Sequence, residues 1–291
     1  MCNPCFDYKI HGFYFFVNYI FEKNYKIVYK PDEFTCACFY GIVGKNKKRE
    51  GKNMFDFILF DLDGTLTDPK VGITTCVQHA LKHFGIEEPD NDKLTPFIGP
   101  PLTDSFKEFY GFDEEQAQVG LEKYRERFSV VGWKENEIYP GMEDMLKGLY
   151  EKGIKLAVAS SKPRVFVEKI LEFFNIREYF AVVCGAELDG SRNSKPAIMK
   201  EVFVRLGIVT DVDADFITDE NCTITEKELE QIASVSCAMV GDRKFDVNGA
   251  KALKVTSVAV SYGYAPEGEL EACEPDYLVD SVEELGKVLG R

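Results

Sequence analysis

Two carboxylates separated by one residue, Asp61 and Asp63, follow the short apolar run Phe57–Phe60 in the segment FILFDLDGTLTD. Four apolar residues with no polar face read as a strand buried on both sides. Side chains alternate along a strand, so Asp61 and Asp63 are expected on the same side, a few ångströms apart. Two acids so placed repel each other, and a divalent cation, a shared proton or both are expected between them. A nucleophilic carboxylate with a proton-shuttling carboxylate two residues on suits phosphoryl transfer through an aspartyl-phosphate. Gly64 permits a tight turn close to an anion, and the amides at Gly64 and Thr65 are then expected to donate to phosphate oxygens. The plainer alternative is a strand end capped by acidic turn residues.

Three further apolar runs must position any partners. Ile154–Ala159 ends in Ser160-Ser161-Lys162-Pro163, where Ser160 is a candidate anion ligand or a helix N-cap. Ala181–Cys184 and a polar loop lead to Lys195, a cation before a helix start. That is an unfavourable dipole placement, which a bound anion would explain; a solvated loop lysine is the alternative. Ala238–Val240 ends in Gly241-Asp242-Arg243-Lys244-Phe245-Asp246. In open α/β sheets ligands bind outside the carboxyl ends of the strands, where these residues would gather.

Taken in order, FDLDGTLTD, Ser160, Lys195 and GDRKFD resemble the four motifs of the haloacid dehalogenase-like superfamily, from about Met54 to Leu289. The resemblance implies an α/β fold: a doubly wound, Rossmann-like parallel sheet with an inserted α-helical cap. It also implies roles. Asp61 is the nucleophile and Asp63 the general acid and base, while Ser160 and Lys195 hold the phosphoryl group. Magnesium takes Asp61, the backbone carbonyl of Asp63, and Asp242, with Asp246 and Arg243 in support. Such an ion needs only one or two carboxylates, its remaining sites being filled by water and phosphate.

Strands are expected at 57–60, 154–159, 181–184, 236–240, 255–260 and 277–279. Helices are expected at 163–174, 196–206, 246–253 and 281–289, an alternation that predicts right-handed crossovers. About 85 residues separate the first two motifs, far more than one crossover needs. Helices at 72–84, 101–110 and 113–130 fill that interval, and the resemblance makes residues 69–138 the cap and 54–68 with 139–291 the core. Lys162 and Gly99 are candidate substrate contacts. Phe97, Phe106 and Tyr110 could offer an aromatic slot, with packing inside the cap as the alternative. His79 and His83, four apart on one helix, lack a third ligand and read as an exposed face.

The chain has 291 residues, a net charge of −14 and nine cysteines. The acidity argues against a nucleic-acid polymer as partner and requires a local positive site for a phosphorylated metabolite. Phe13–Phe21 is too short to span a bilayer. With no signal-peptide pattern, the expected location is the cytoplasm, with reduced cysteines. Residues 1–53 differ from the rest: they are aromatic-rich, net basic, and carry Cys2, Cys5, Cys36 and Cys38, whose spacing does not match a zinc knuckle. Met54 is the expected natural start. Between Leu206 and Ser236 lies an insert of about 20 residues, longer than a usual crossover loop. Its Asp211-x-Asp213-x-Asp215 imitates a calcium loop but lacks the turn glycine and the final glutamate. Thr225–Glu228 reads as a capping box, and the insert as an acidic surface excursion.

An acid at position 63 separates phosphate-ester hydrolysis from dehalogenation, because the leaving alkoxide needs a proton. The phrases FDLDGTLTD, FIGPPL and ASSKP resemble the phosphoglycolate phosphatase branch and its 5′-nucleotidase-like members. Phosphoglycolate or a nucleoside 5′-monophosphate is the expected substrate. A β-phosphoglucomutase-like phosphotransferase and a non-enzymatic phosphate- or partner-binding protein are the rivals. The pattern specifies no oligomeric state.

Overall fold

The apolar run before Asp61 is strand β1 (Phe57–Phe60), at the centre of a six-stranded sheet. The computed structural model describes residues 53–290 and, ahead of them, the backbone of Lys9–Ile10 and Phe13–Tyr14. The chain divides into two units, Met1–Arg49 and Glu50–Arg291. In the first, Lys9–Ile10 pairs antiparallel with Phe13–Tyr14. The expectations for Cys2, Cys5, Cys36 and Cys38, and for the segment before Met54, lie outside the described residues.

From β1 the chain passes through β2 (Thr67–Asp68), α1 (Lys70–His83), a 3-10 turn at Asn91–Phe97, α2 (Leu102–Tyr110), α3 (Glu114–Phe128) and β3 (Glu137–Ile138). It continues through α4 (Met142–Glu151), β4 (Lys155–Pro163), α5 (Arg164–Phe173), β5 (Phe180–Ala186), α6 (Lys195–Arg205) and α7 (Glu226–Ala233). The last elements are β6 (Cys237–Gly241), α8 (Lys244–Ala252), β7 (Thr256–Val260), α9 (Glu269–Ala272), β8 (Tyr277–Val279) and α10 (Val282–Leu289).

The sheet is parallel throughout, in the order β8-β7-β6-β1-β4-β5. The chain first builds outward from β1 on one side and then on the other, so its carboxyl end is a topological switch point. The alternation of β1 serves two cores. Ile58 and Phe60 enter the cluster with Leu146, Val167 and Leu285, whereas Leu59 faces Ile198, Met199 and Phe203. Phe60 is fully buried and meets Phe180 edge-on at 6.3 Å. Phe60→Ala is expected to cost about 3–5 kcal/mol, measured by denaturant unfolding followed by circular dichroism.

Helices α1, α2 and α3, the helical cap, pack around an apolar cluster that includes Val77, Leu81, Phe97, Phe106 and Phe128 and is joined by Phe166 of α5. The stalk of the cap is the antiparallel pair β2–β3, Thr67 opposite Ile138 and Asp68 opposite Glu137. Neither the stalk nor α4 was expected from the sequence, since two-residue strands carry no periodic signal. Several boundaries also moved, two of them at the site. Strand β4 runs to Pro163 because Ser160 and Pro163 pair with Gly185 and Ala186, which rules out Ser160 as a helix N-cap. Helix α8 begins at Lys244, two residues early, because the Asp246 carboxylate accepts the Arg243 amide at 3.1 Å and closes its first turn.

The insert leaves the sheet intact, and Thr225 and Glu228 form the expected capping box. Its acids have separate partners: Asp211 with Lys227, Asp215 with Arg205, and Asp213 at the turn Ala214–Phe216. Among the described residues no helix is long and apolar enough to cross a membrane.

Candidate active site

At the carboxyl end of β1 the chain turns through Asp61-Leu62-Asp63-Gly64. The two carboxylates are nearly buried, and each meets its own lysine. Asp61 lies 3.2 Å from Lys195 Nζ, and Asp63 lies 2.7 Å from Lys162 Nζ. Lys195, the first residue of α6, also reaches Asp246 at 2.7 Å and donates to the Ala159 carbonyl at 2.9 Å. It therefore joins the turn after β1, strand β4 and the first turn of α8 through one ammonium group. Burial opposes its charge, but Asp246 and Asp61 outweigh burial and hold its pKa above the ordinary lysine value.

Asp61, Asp242 and Asp246 offer carboxylate oxygens within 4.8 Å of one another, the one such acidic cluster among the described residues. Gly64 makes that approach feasible. Its φ is +77°, and a Cβ there would lie 2.1 Å from Asp242 Oδ2. Gly263 crowds the same carboxylate from the loop after β7, while the Tyr264 amide donates to Asp242 Oδ2 at 2.7 Å. Burial, with Asp246 and Asp61 adding, pushes the Asp242 pKa far up. Asp246 is raised to about 6 by burial and Asp61, against the pull of Lys195. Three carboxylates against one ammonium carry two excess negative charges when ionised, in a buried, oxygen-only donor set. A hard divalent cation fits this site, which suits magnesium.

The expectation for the amides of Gly64 and Thr65 needs correction. They donate within the turn, to Thr67 O at 2.8 Å and Leu62 O at 3.3 Å, and are not free for phosphate. Both residues instead shape the acidic cluster, the Thr65 hydroxyl reaching Asp242 Oδ1 at 3.4 Å. Ser160, almost fully buried, opens into the same cavity as Asp61 and Asp63, and its hydroxyl accepts the Lys162 amide at 3.3 Å.

That cavity, about 320 Å³, lies between cap and core. Ile73, Phe97, Leu121, Tyr124, Phe128 and Phe166 provide apolar wall, and Gly99 and Lys162 line it too. The Lys162 ammonium is paired with Asp63 and sits 4.7 Å from the centre of the Phe128 ring, so it acts on the acid as well as on any substrate. Phe106 and Tyr110 pack with Phe97 and Phe112 inside the cap and do not line the cavity; of the three expected aromatics only Phe97 does, joined by Tyr124 and Phe128 of α3 and Phe166 of α5. Arg243 ties core to cap, donating to the Ile98 carbonyl at 2.7 Å and pairing with Glu269 at 2.8 Å. A Cβ on Gly99 would stand 2.8 Å from its guanidinium. Gly263, Tyr264 and Glu269 escaped the sequence reading because they follow a strand without a motif of their own. His79 is exposed, 3.8 Å from Glu126, and His83 packs on Phe84; neither joins the acidic cluster.

Four strand ends supply one buried site under a helical insertion, and comparison with known proteins agrees. The family model for haloacid dehalogenase-like hydrolases matches residues 58–260. The chain belongs to that family and is one of its phosphatases. It is similar to a 5′-nucleotidase of Pseudomonas aeruginosa, 38% identical over 83% of this chain and 98% of that one. A phosphoglycolate phosphatase of Vibrio parahaemolyticus is 25% identical over 80% and 95% of the two chains. The tyrosine-protein kinase PtkA of Mycobacterium tuberculosis is 32% identical over 80% and 72%. Among solved structures, a predicted phosphatase from Clostridium acetobutylicum superposes with a TM-score of 0.68 at 38% identity, over 80% of this chain and 97% of that one.

Proposed function

We propose that the protein is a magnesium-dependent phosphatase hydrolysing a small phosphomonoester, with a nucleoside 5′-monophosphate favoured over phosphoglycolate. One observation carries the reading: Asp61 and Asp63 share the floor of one cavity yet have different cationic partners, Lys195 and Lys162. Asp61 attacks phosphorus, the ester P–O bond breaks, and Asp63 gives its proton to the leaving oxygen. Asp63 then takes a proton from water as that water attacks the aspartyl-phosphate, releasing inorganic phosphate and free Asp61. Burial raises the pKa of Asp63, Lys162 only partly opposing it, which suits a group that must carry a proton. Ser160 and Lys195 hold the phosphoryl oxygens. Magnesium on Asp61, Asp242 and the Asp63 carbonyl, when bound, supplies charge neutralisation at those oxygens.

The apolar and aromatic wall of the cavity suits a nucleoside better than a two-carbon acid, whose carboxylate needs a cation of its own. Phosphoglycolate stays in the comparison because Arg125 also lines the cavity. The cytoplasm is the compartment this reading assigns, in keeping with free thiols at Cys76, Cys184 and Cys237.

Phosphate release from nucleoside 5′-monophosphates, phosphoglycolate and hexose phosphates, with magnesium and with excess EDTA, tests the proposal. Nucleotides are expected to be hydrolysed fastest, with activity lost in EDTA and restored by added magnesium. The kinase-named relative favours one alternative, passage of the phosphoryl group to an acceptor other than water. Consumption of the monoester without equivalent free phosphate would establish that alternative in place of hydrolysis.

A further inference from the structure

We infer that Asp219, in the insert between α6 and β6, is a positioning residue that sets the loop carrying Lys195. This rests on the assignment of Lys195 to the phosphoryl group. The insert is fastened to that loop and helix by a connected set of contacts. The Asp219 carboxylate accepts the amides of Asn193 at 2.8 Å and Ser194 at 2.9 Å, and the Ser194 hydroxyl at 2.6 Å. Its own amide donates to the Ser191 carbonyl at 3.0 Å. Next to these, Arg192 is almost fully buried, donates to the Ile217 carbonyl at 2.9 Å, and pairs with Glu201 of α6 at 3.0 Å. Lys200 of α6 donates to the Thr223 carbonyl and pairs with Glu228 at 2.8 Å.

Helix physics explains why such a brace is needed. Ser194 is the N-cap of α6, but its side chain makes no capping bond, and the first residue is a cation. A positive charge at a helix N-terminus opposes the dipole, and uncapped amides there cost stability. Asp219 brings from another part of the chain a negative charge to the helix start and an acceptor for the amides of Ser194, the N-cap residue, and of Asn193 before it. Because Lys195 follows Ser194 directly, the two amide bonds fix where its backbone begins. The same loop brings Asn193 to the wall of the substrate cavity. The insert, expected from sequence to be a surface excursion, thus reaches the chemistry through one carboxylate.

The test compares Asp219→Ala, Asp219→Asn, Lys195→Met and Lys227→Ala in the full chain. The readouts are kcat and KM for p-nitrophenyl phosphate, competitive inhibition by inorganic phosphate, and thermal midpoint. Displacing a phosphate contact by about an ångström costs roughly 10- to 100-fold, so Asp219→Ala is expected to lower kcat/KM and weaken phosphate inhibition by that order. Asp219→Asn keeps an acceptor oxygen and is expected to recover part of both, which also serves if the alanine variant folds poorly. Lys227→Ala breaks only the surface pair with Asp211 and is expected to match the parent. In a Lys195→Met background, Asp219→Ala is expected to add little, because both act through one group. Parent-like phosphate inhibition in folded Asp219→Ala, or full additivity with Lys195→Met, overturns the inference. Parent-like activity of Lys195→Met would instead overturn the role of the lysine itself.

Discussion

Asp61→Asn is expected to reduce turnover by about 10⁴-fold or more while leaving the thermal midpoint close to that of the parent protein. The reasoning is one of chemistry against shape. The amide has nearly the dimensions of the carboxylate, and its oxygen can still accept the Leu62 amide that Asp61 Oδ1 accepts at 2.7 Å. Lys195 keeps its stronger partner, Asp246, at 2.7 Å and its bond to the Ala159 carbonyl. An amide oxygen is a poor nucleophile, however, and forms no acyl phosphate, so the first covalent step is removed. Losses of that order are usual when the attacking group itself is deleted. Phosphate release, circular dichroism and trapping of a hydroxylamine-labile phosphoenzyme measure the three parts of the expectation. Substantial magnesium-dependent hydrolysis by a folded Asp61→Asn would refute the nucleophile assignment.

The effect of Asp63→Asn should depend on the leaving group. Proton donation contributes roughly 10²–10⁴-fold when the departing oxygen is a poor leaving group. A nucleoside or alkyl phosphate is therefore expected to lose rate on that scale. p-Nitrophenolate leaves without help, so formation of the phosphoenzyme from p-nitrophenyl phosphate should fall far less. Its hydrolysis still needs a base, so a burst of nitrophenol followed by an accumulated phosphoenzyme is the expected signature in rapid mixing. An equal loss for both leaving groups, with no burst, would remove Asp63 from acid–base duty. A stability cost is also expected, because Lys162 is buried and loses a charged partner at 2.7 Å. The carboxamide oxygen remains as an acceptor, which limits the penalty to about 1–3 kcal/mol.

Both variants depend on a division of labour that tertiary structure creates. Asp61 and Asp63 are two residues apart in a strand-end turn, but different strands supply their cations. Lys195 arrives at the start of α6 and Lys162 at the end of β4. Lys162 was expected from sequence to face substrate; the structure adds that it neutralises Asp63 and packs against the cap through Phe128. Arg243 is comparable. It sits beside a candidate metal ligand, yet its hydrogen bond to Ile98 reaches the cap loop next to Gly99.

The sequence alone determined the strands before each motif, the order of the four site elements and the existence of a helical insertion. Those are local matters: a four-residue apolar run, a glycine after two acids, or a 3.6-residue period leaves its mark in neighbouring positions. Only the tertiary structure decided that the Gly64 and Thr65 amides serve the turn, and that Phe97, Tyr124, Phe128 and Phe166, but not Phe106, face the cavity. It also decided that the insert before the last motif binds the loop leading to Lys195, through the amides of Asn193 and Ser194. Such choices depend on which carbonyl or carboxylate another strand brings within 3 Å, and hydrogen bonds between distant segments have no period to read.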